Sequence, residues 1–265
     1  MKRPFDAAIL HVSEGVLNIF QAVGRRVYFG KYMIRGLREP ATWIPETIRQ
    51  MRTIGVESVP LAIIVAAFLG GVTAFQTRYQ LFPGVQLSVV GLIARQSIVL
   101  ELGPLLTALV LTGRIGARMT AEIGTMRVTE QIDALETLSF DPVAYLATPR
   151  FLAALVMLPA LTMLANAAAI FSAWLTLILA TDVRTSEFVQ GLRLAFTEFQ
   201  VVYSLIKATC FGAAIAFVCA YQGYVTEAGA EGVGRSTALA VVISSVSILV
   251  LDAIVAAVFA PFIQA

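Results

Sequence analysis

The chain has 265 residues, of which 58% are hydrophobic and 14% are charged, and its net charge is +2. Soluble globular proteins carry about 25% charged residues, so this composition, with a mean hydropathy of +0.82, excludes a soluble globular domain and predicts an integral membrane protein. The small net charge gives no case for nucleic-acid binding.

Histidine and cysteine are too scarce for a metal centre. His11 is the only histidine, and Cys210 and Cys219 lie in one apolar stretch, where a thiol behaves as a small hydrophobic group. We therefore predict no metal site, no disulfide and no cofactor bound by this chain. A signal peptide is not predicted, because His11 and Glu14 interrupt the apolar N-terminal residues and no small-residue cleavage site follows.

The first predicted element is an amphipathic helix at the N-terminus. Basic residues follow it between 25 and 38, a pattern typical of a helix in the membrane interface. A soluble helix packed on a partner is the alternative. We assign 1–52 to N-terminal interfacial or elbow helices and 53–265 to a transmembrane core, within a single domain of 1–265. The apolar residues at helical spacing are Phe5, Ile9, Val12, Val16, Ile19, Phe20 and Val23.

Five stretches are predicted to span the membrane. The first contains 20 residues without charge between Glu57 and Arg78, enough to cross about 30 Å of hydrocarbon as a helix. Only 12 uncharged residues separate Glu101 from Arg114, so the second helix must extend back toward Leu92 or forward past Arg114. The other three spans are predicted at about 151–181, 201–223 and 237–262.

The distribution of lysine and arginine predicts the orientation. Residues 1–52 hold nine of the 19 and residues 113–150 hold four, whereas the turns at 78–95 and 182–198 hold two each. Because positive residues stay in the cytoplasm, the N-terminus and residues 114–150 are predicted to be cytoplasmic. With five spans, the C-terminus is then periplasmic.

A charged, helix-prone segment follows the second span. It carries an apolar side made of Ile123, Met126, Ile132, Leu135 and Leu138, and its other residues are mostly charged or polar. Chemistry alone leaves two interpretations open: a helix across the membrane surface that offers its charges to a partner, or a solvated loop helix without a role. The dipeptide Asp141-Pro142 then predicts the start of the next helix.

Three ionisable residues fall inside predicted spans, where a charge is costly. Glu101 is predicted near the outer end of the second span, at a depth similar to Gln76 and Thr77, where polar groups would line the mouth of an apolar cavity. A capping or interfacial carboxylate is the alternative. Lys207 and Asp252 are predicted at depths about 6 Å apart, which a lysine side chain closes. We interpret them as a structural ion pair rather than a functional one.

The glycines of GAEGVG at 229–234 resemble a phosphate-binding loop only superficially. No strand is predicted before them, and nowhere in the chain does Ser or Thr follow a Gly-Lys dipeptide. A turn between the fourth and fifth spans explains these glycines. The usual ATP-binding loop is therefore excluded, and ATP-driven work needs a separate polypeptide.

The longest motif of the chain resembles a known family. Residues 101–136, ELGPLLTALVLTGRIGARMTAEIGTMRVTEQIDALE, are similar to the core signature of the MlaE/YrbE permeases. The likeness continues through Asp141-Pro142 and Pro149-Arg150, and then through 207–212, 229–234 and Asp252. These permeases are membrane subunits of MCE-type ABC transporters, which move phospholipid in Gram-negative envelopes.

The resemblance implies roles for particular residues. The segment about 119–138 resembles the coupling helix that docks into a cleft of the ATPase, and Glu101 matches a glutamate at a lipid-holding cavity between the two halves of a dimer. The implied docking residues are Glu122, Met126, Arg127, Thr129, Glu130, Gln131 and Asp133. The implied lipid-cavity residues are Gln76, Thr77, Glu101, Leu102 and Leu105.

The predicted fold is an all-α integral membrane permease with five transmembrane helices, an N-terminal interfacial amphipathic helix and a cytoplasmic coupling helix. The predicted function is the non-catalytic transmembrane subunit of an ATP-driven phospholipid transporter in the bacterial inner membrane. It would move lipid between that membrane and a periplasmic partner and so maintain outer-membrane lipid asymmetry. The implied partners are a second copy, a cytoplasmic ABC ATPase, a STAS-type accessory protein and a periplasmic MCE-type lipid-binding protein.

Two other classes of protein remain as alternatives. One is a secondary carrier for an apolar small molecule, driven by an ion gradient through the charges at Glu101, Lys207 and Asp252. Such carriers usually contain inverted repeats, and no repeat is evident in this sequence. The other is an intramembrane enzyme, which the scarcity of histidine and of nucleophile–base pairs disfavours.

Overall fold

The computed structural model describes residues 20–21, 23–38 and 40–263. Within these ranges the protein is helical and contains no strand. The predicted N-terminal amphipathic helix falls largely on residues 1–19 and so lies outside the described residues. Five helical stretches are long and apolar enough to span a membrane: Trp43–Gln80, Ser88–Val128, Pro142–Ala180, Glu198–Tyr224 and Ala230–Phe262. The predicted all-α membrane fold with five spans is therefore confirmed.

The helices follow one another with short connections. A 3-10 turn joins α2 to α3, and two π-helical segments interrupt the second span, one between α4 and α5 and one between α5 and α6. The elements in chain order are α1 (23–36), α2 (Pro40–Ile54), α3 (Val59–Gln80), α4 (Ser88–Gln96), α5 (Gly103–Leu111), α6 (Ala117–Val128), α7 (Gln131–Thr137), α8 (Pro142–Ala180), α9 (Thr185–Arg193), α10 (Glu198–Tyr224) and α11 (Ala230–Ile263).

The second span resolves the length problem posed by Glu101 and Arg114. Its helix extends in both directions at once, from Ser88 to Val128, and so carries Glu101 inside it. Glu101 lies in the π-helical segment Ser97–Leu102, whose wider turn changes the direction of the side chains that follow. Such segments are frequent at functional sites.

The segment after the second span is not the single helix predicted at about 119–138. Residues up to Val128 continue the spanning helix as α6, and the chain then bends at Glu130, whose φ of 59° is left-handed. The predicted apolar side also divides, because Ile123 is 1% exposed and Leu138 is 68% exposed. Ile123 packs closely against α10, where a Cβ on Gly223 would lie 2.8 Å from the Ile123 Cβ. Only α7 remains as a separate surface helix.

The start of α8 follows the local sequence. The Asp141 carboxylate accepts hydrogen bonds from the backbone N–H groups of Val143 and Ala144, at 3.0 and 3.2 Å, and Pro142 occupies the first turn. This is the predicted cap with proline at the helix start. A further short helix, α9, lies in the polar stretch 182–198, which was predicted only as a connection.

Small residues set the distances between the spanning helices. A Cβ on Gly70 of α3 would overlap the backbone carbonyl of Ala169 in α8, and a Cβ on Gly212 of α10 would lie 2.8 Å from the carbonyl oxygen of Ala154. Membrane helices pack in this way because close backbone approach maximises van der Waals contact. As a result α8 is held between α3 and α10, and α10 in turn contacts α5, α6 and α11.

Candidate functional site

A cluster of three charges lies inside the bundle, where α10, α11 and the first π-helical segment meet. The Lys207 Nζ is 2.5 Å from the Glu101 Oε2 and 2.8 Å from the Asp252 Oδ1. Lys207 also donates to the backbone carbonyl of Leu100 at 3.2 Å and lies 5.0 Å from the Tyr203 ring centroid. The structure thus joins Glu101 to the Lys207–Asp252 pair, a contact that the sequence does not predict.

The three members of the cluster differ in exposure. The side chain of Lys207 is fully buried, that of Asp252 is 18% exposed and that of Glu101 is 46% exposed. Two carboxylates face one ammonium group, so the cluster carries an excess negative charge when all three groups are ionised. Glu101 is its open member, with one carboxylate oxygen on Lys207 and a side chain that reaches the surface of the chain.

The π-helical segment fixes the position of Glu101 next to α8. Gly103 follows it, and a Cβ there would overlap the Asn166 Oδ1. Asn166 in turn donates to the Ser204 hydroxyl of α10 at 3.1 Å. The close approach of the second span to α8 therefore needs glycine at this position. The hydrogen bond from Asn166 to Ser204 then connects α8 to α10, the helix that carries Lys207.

The other predicted lipid-cavity residues are not gathered around Glu101. Thr77 is 8% exposed and its hydroxyl donates to Thr73 of its own helix at 2.7 Å, whereas Gln76 is exposed. Leu102 and Leu105 are half-buried, and Leu105 packs against the larger apolar cluster of the core. Within the described residues, Glu101 is the member of the predicted set that contacts an intramembrane charge.

The predicted docking residues lie mainly at the bend between α6 and α7. Arg127 and Asp133 form an ion pair of 2.6 Å across the bend, and Gln131 donates to the Thr129 hydroxyl at 3.0 Å. Glu130 is exposed at the bend itself. Met126 and Glu122 belong to a different surface, since both line a groove between α2, α6 and α8.

This groove, which we call the arginine groove, is also lined by Arg49, Arg118 and Arg150, none of which is in the predicted docking set. Arg118 joins Glu57 at 2.9 Å and Glu122 at 2.8 Å, and Arg150 is 3.4 Å from Glu122. Arg150 is named in the family motif, but its burial at 6% exposure was not evident from the sequence. In sequence, Arg150 stands before a long apolar run, a position typical of an exposed anchor at the membrane interface. Its burial becomes evident only from the packing of the helices around it.

At the other end of the bundle, where α3 and α8 end and α10 begins, two arginines form hydrogen bonds between separate parts of the chain. Arg78, at the end of α3, donates twice to the Asp182 carboxylate at 2.7 Å, and it holds the pKa of that exposed carboxyl below its ordinary value by hydrogen bonding and charge. Arg95 is buried and donates to Gln200 and to the carbonyls that precede α10. These contacts tie the end of α3 to the chain after α8, and the second span to the start of α10.

The sequence comparisons agree with this architecture. The model of a family described as Permease MlaE matches residues 47–258, which include all five spans except the first few residues of the first and the last few of the fifth. The chain belongs to the MlaE permease family. The match covers the charge cluster, the α6–α7 bend and the groove between α2, α6 and α8 except for Glu46.

Relatives of this family chain come from several kinds of organism. A probable ABC transporter permease protein of Rickettsia prowazekii is 35% identical over 94% of this chain and 96% of its own length. A probable ABC transporter permease protein of Synechocystis is 38% identical over 77% of this chain and 78% of its own. The intermembrane phospholipid transport system permease protein MlaE of Haemophilus influenzae is 30% identical over 92% of this chain and 94% of its own. This chain is accordingly a multi-pass permease subunit of an ABC transporter.

Proposed function

We propose that this permease moves phospholipid between the bacterial inner membrane and a periplasmic lipid-binding partner, and so maintains outer-membrane lipid asymmetry. The observation that carries the proposal is Glu101, a half-exposed carboxylate at the edge of an otherwise buried charge cluster inside a span. A charge inside the bilayer is retained where it serves a pathway or fixes a structure. The phospholipid transport named for the Haemophilus influenzae relative supports phospholipid as the substrate.

The proposed motor is a separate ABC ATPase on the cytoplasmic side. The absence of a Gly-Lys-Ser or Gly-Lys-Thr sequence from the chain supports this division of labour. The surface offered to the ATPase is the bend between α6 and α7, where Glu130 and Asp133 are exposed. Because α6 is the direct continuation of the second span, a displacement of the bend is carried along one helix to Glu101.

The proposed cycle is a two-state one. ATP brings two ATPase subunits together, the α6–α7 bends move with them, and a cavity beside Glu101 changes shape so that lipid enters or leaves. A cavity large enough for lipid needs more helices than five, and a two-fold dimer is the commonest way to supply them. The exposed apolar side chains of α3 and α11 are available to lipid or to such a second copy.

The rest of the proposed assembly follows the family. It comprises a STAS-type protein on the cytoplasmic side and an MCE-type lipid-binding protein over the periplasmic mouth, with no covalent chemistry on this chain. The N-terminus and the α6–α7 bend are proposed to be cytoplasmic, and the C-terminus periplasmic, on the distribution of lysine and arginine.

Co-purification distinguishes this proposal from an ion-driven carrier. When the chain is expressed with its candidate ABC ATPase and purified by a tag on the permease, we expect the ATPase to remain bound in equimolar amount. The double variant Glu130→Lys and Asp133→Lys should lose the ATPase, because both acidic residues at the bend are replaced by basic ones. Purification of the parent permease free of ATPase would instead favour the carrier.

A further inference from the structure

A groove of about 600 Å³ opens between α2, α6 and the first turns of α8. It is separate from the cluster around Lys207. Three arginines line it, one from each helix, and two carboxylates face them. The arginines are Arg49, Arg118 and Arg150, and the carboxylates are Glu46 and Glu122. The predicted docking set contributes Glu122 and Met126 to this lining, but neither that set nor the proposed lipid pathway at Glu101 accounts for the three arginines.

The groove lies next to the ends of two long uncharged runs of the chain. Glu57 and Arg150 are the last charged residues before the uncharged runs 58–77 and 151–181. Arg118 joins Glu57 at 2.9 Å, and Glu122 lies 3.4 Å from Arg150, so these side chains share one level across three helices. The polar groove therefore begins where the apolar surface of the bundle ends.

Arg150 is incompletely satisfied in this groove. Only 6% of the residue is exposed, and its Nη1 donates to the carbonyl of Leu146 at 2.8 Å. The contact from its Nη2 to Glu122 is long, at 3.4 Å, and its Nε has no hydrogen-bond partner among the described residues. A buried guanidinium with unused donors is costly unless a further group completes it. Phosphate suits this position, because guanidinium groups bind phosphate oxygens with paired N–H donors.

The carboxylates of the groove restrict the ligand further. Glu46 accepts from Gln50 at 2.8 Å and is held only loosely by Arg49, at 3.7 Å. A purely anionic headgroup would meet Glu46 and Glu122 as like charges. A quaternary ammonium group has no N–H to donate to them, whereas a primary ammonium group has three. The lining therefore matches a ligand that carries both a phosphate and a primary amine.

We propose that the groove binds the headgroup of a zwitterionic aminophospholipid from the adjacent leaflet, with phosphate against Arg150 and Arg49 and the ammonium group against Glu46. This inference rests on the proposed membrane orientation, and it places lipid at a second position, away from Glu101. A lipid held there would stabilise the contact between α2 and α6, on the helix that carries the α6–α7 bend.

Lipid retention by the purified permease, without ATPase or ATP, tests the proposal. The protein is equilibrated with equimolar phosphatidylethanolamine, phosphatidylcholine and phosphatidylglycerol, and the retained lipids are counted by native mass spectrometry. We expect phosphatidylethanolamine to be preferred in the parent, and Arg49→Gln to reduce its retention about tenfold, the effect of one lost charge-assisted hydrogen bond. Glu46→Gln should abolish the preference over phosphatidylcholine while total phospholipid is retained.

Arg52→Gln is the matched control, because Arg52 is exposed on the same helix and does not line the groove. Arg49 is also largely exposed, so neither Arg49→Gln nor Arg52→Gln disturbs the core. Equal retention by the two variants overturns the proposal. In the separate co-purification with the ATPase, loss of the ATPase from Arg49→Gln together with unchanged lipid retention also overturns it, since the groove would then be a protein-docking surface. ATP-driven transport is measured separately and decides the proposed function independently.

Discussion

Replacing Lys207 by methionine should destabilise the protein by about 3–5 kcal/mol, the usual result of removing one partner from a buried ion pair. Lys207 is fully buried between Glu101 and Asp252, and methionine keeps most of its apolar length. The two carboxylates would then face one another without a cation. Thermal unfolding in detergent, followed by the loss of helical circular dichroism, measures the effect.

Arg235→Met provides the matched control for that experiment. It removes one positive charge from an exposed position in α11, far along the helix from Asp252, and should leave the unfolding temperature unchanged. Lys207→Arg should lie between the two, since it keeps the charge but is too large for the site. A Lys207→Met protein as stable as the parent would show that the cluster is not ionised as a pair.

Replacing Glu101 by alanine should instead abolish transport while the protein stays folded. Asp252 remains 2.8 Å from Lys207 in this variant, so the buried ammonium group keeps one carboxylate and the cluster becomes neutral. What is lost is the half-exposed carboxylate that we propose to face the lipid. We expect lipid transport to fall about tenfold or more, corresponding to at least ~1.4 kcal/mol, with little change in unfolding temperature.

The control for Glu101→Ala is Glu198→Ala, which removes an exposed carboxylate at the start of α10. Its transport rate should equal that of the parent. The ATPase should co-purify equally with both variants, because Glu101 and the α6–α7 bend are at different places in the second span. A Glu101→Ala protein with normal transport would refute the substrate-side role and leave the cluster as a structural feature.

The spans could be predicted from the sequence because they depend on simple properties of the chain. Long apolar stretches give their number, and Asp141-Pro142 gives the start of α8. The similar depths of Lys207 and Asp252 allowed an ion pair without establishing it, and the structure brings their side chains to 2.8 Å. The contact of Glu101 with Lys207 could not be predicted, because the side-chain directions around Glu101 depend on a π-helical segment, which no periodicity of 3.6 residues reveals.

The segment after the second span was harder to predict for a different reason. Its apolar residues fit one helical face in sequence, but tertiary contacts place Ile123 against α10 and leave Leu138 exposed. The break at Glu130 has no glycine or proline to announce it. The arginine groove could not be predicted either, because it forms only when α2, α6 and α8 come together, and these helices are distant in sequence.

The central claim is that ATP hydrolysis on a partner drives lipid movement through this permease by way of the α6–α7 bend. Its most direct test is lipid transfer from proteoliposomes that contain the permease and its ATPase, with and without Glu130→Lys and Asp133→Lys together. Both residues are exposed, so their reversal leaves the core intact. Glu136→Lys, also exposed on α7 and outside the docking set, is the control for the change in charge.

We expect lipid transfer to require ATP in the parent and in Glu136→Lys, and to be lost in the double variant. ATP hydrolysis in the presence of the double variant should persist at the rate of the isolated ATPase, because the ATPase is unchanged and only its contact with the permease is lost. Transfer that proceeds without ATP, or that is unaffected by the double change, would contradict this account and favour an ion-driven carrier.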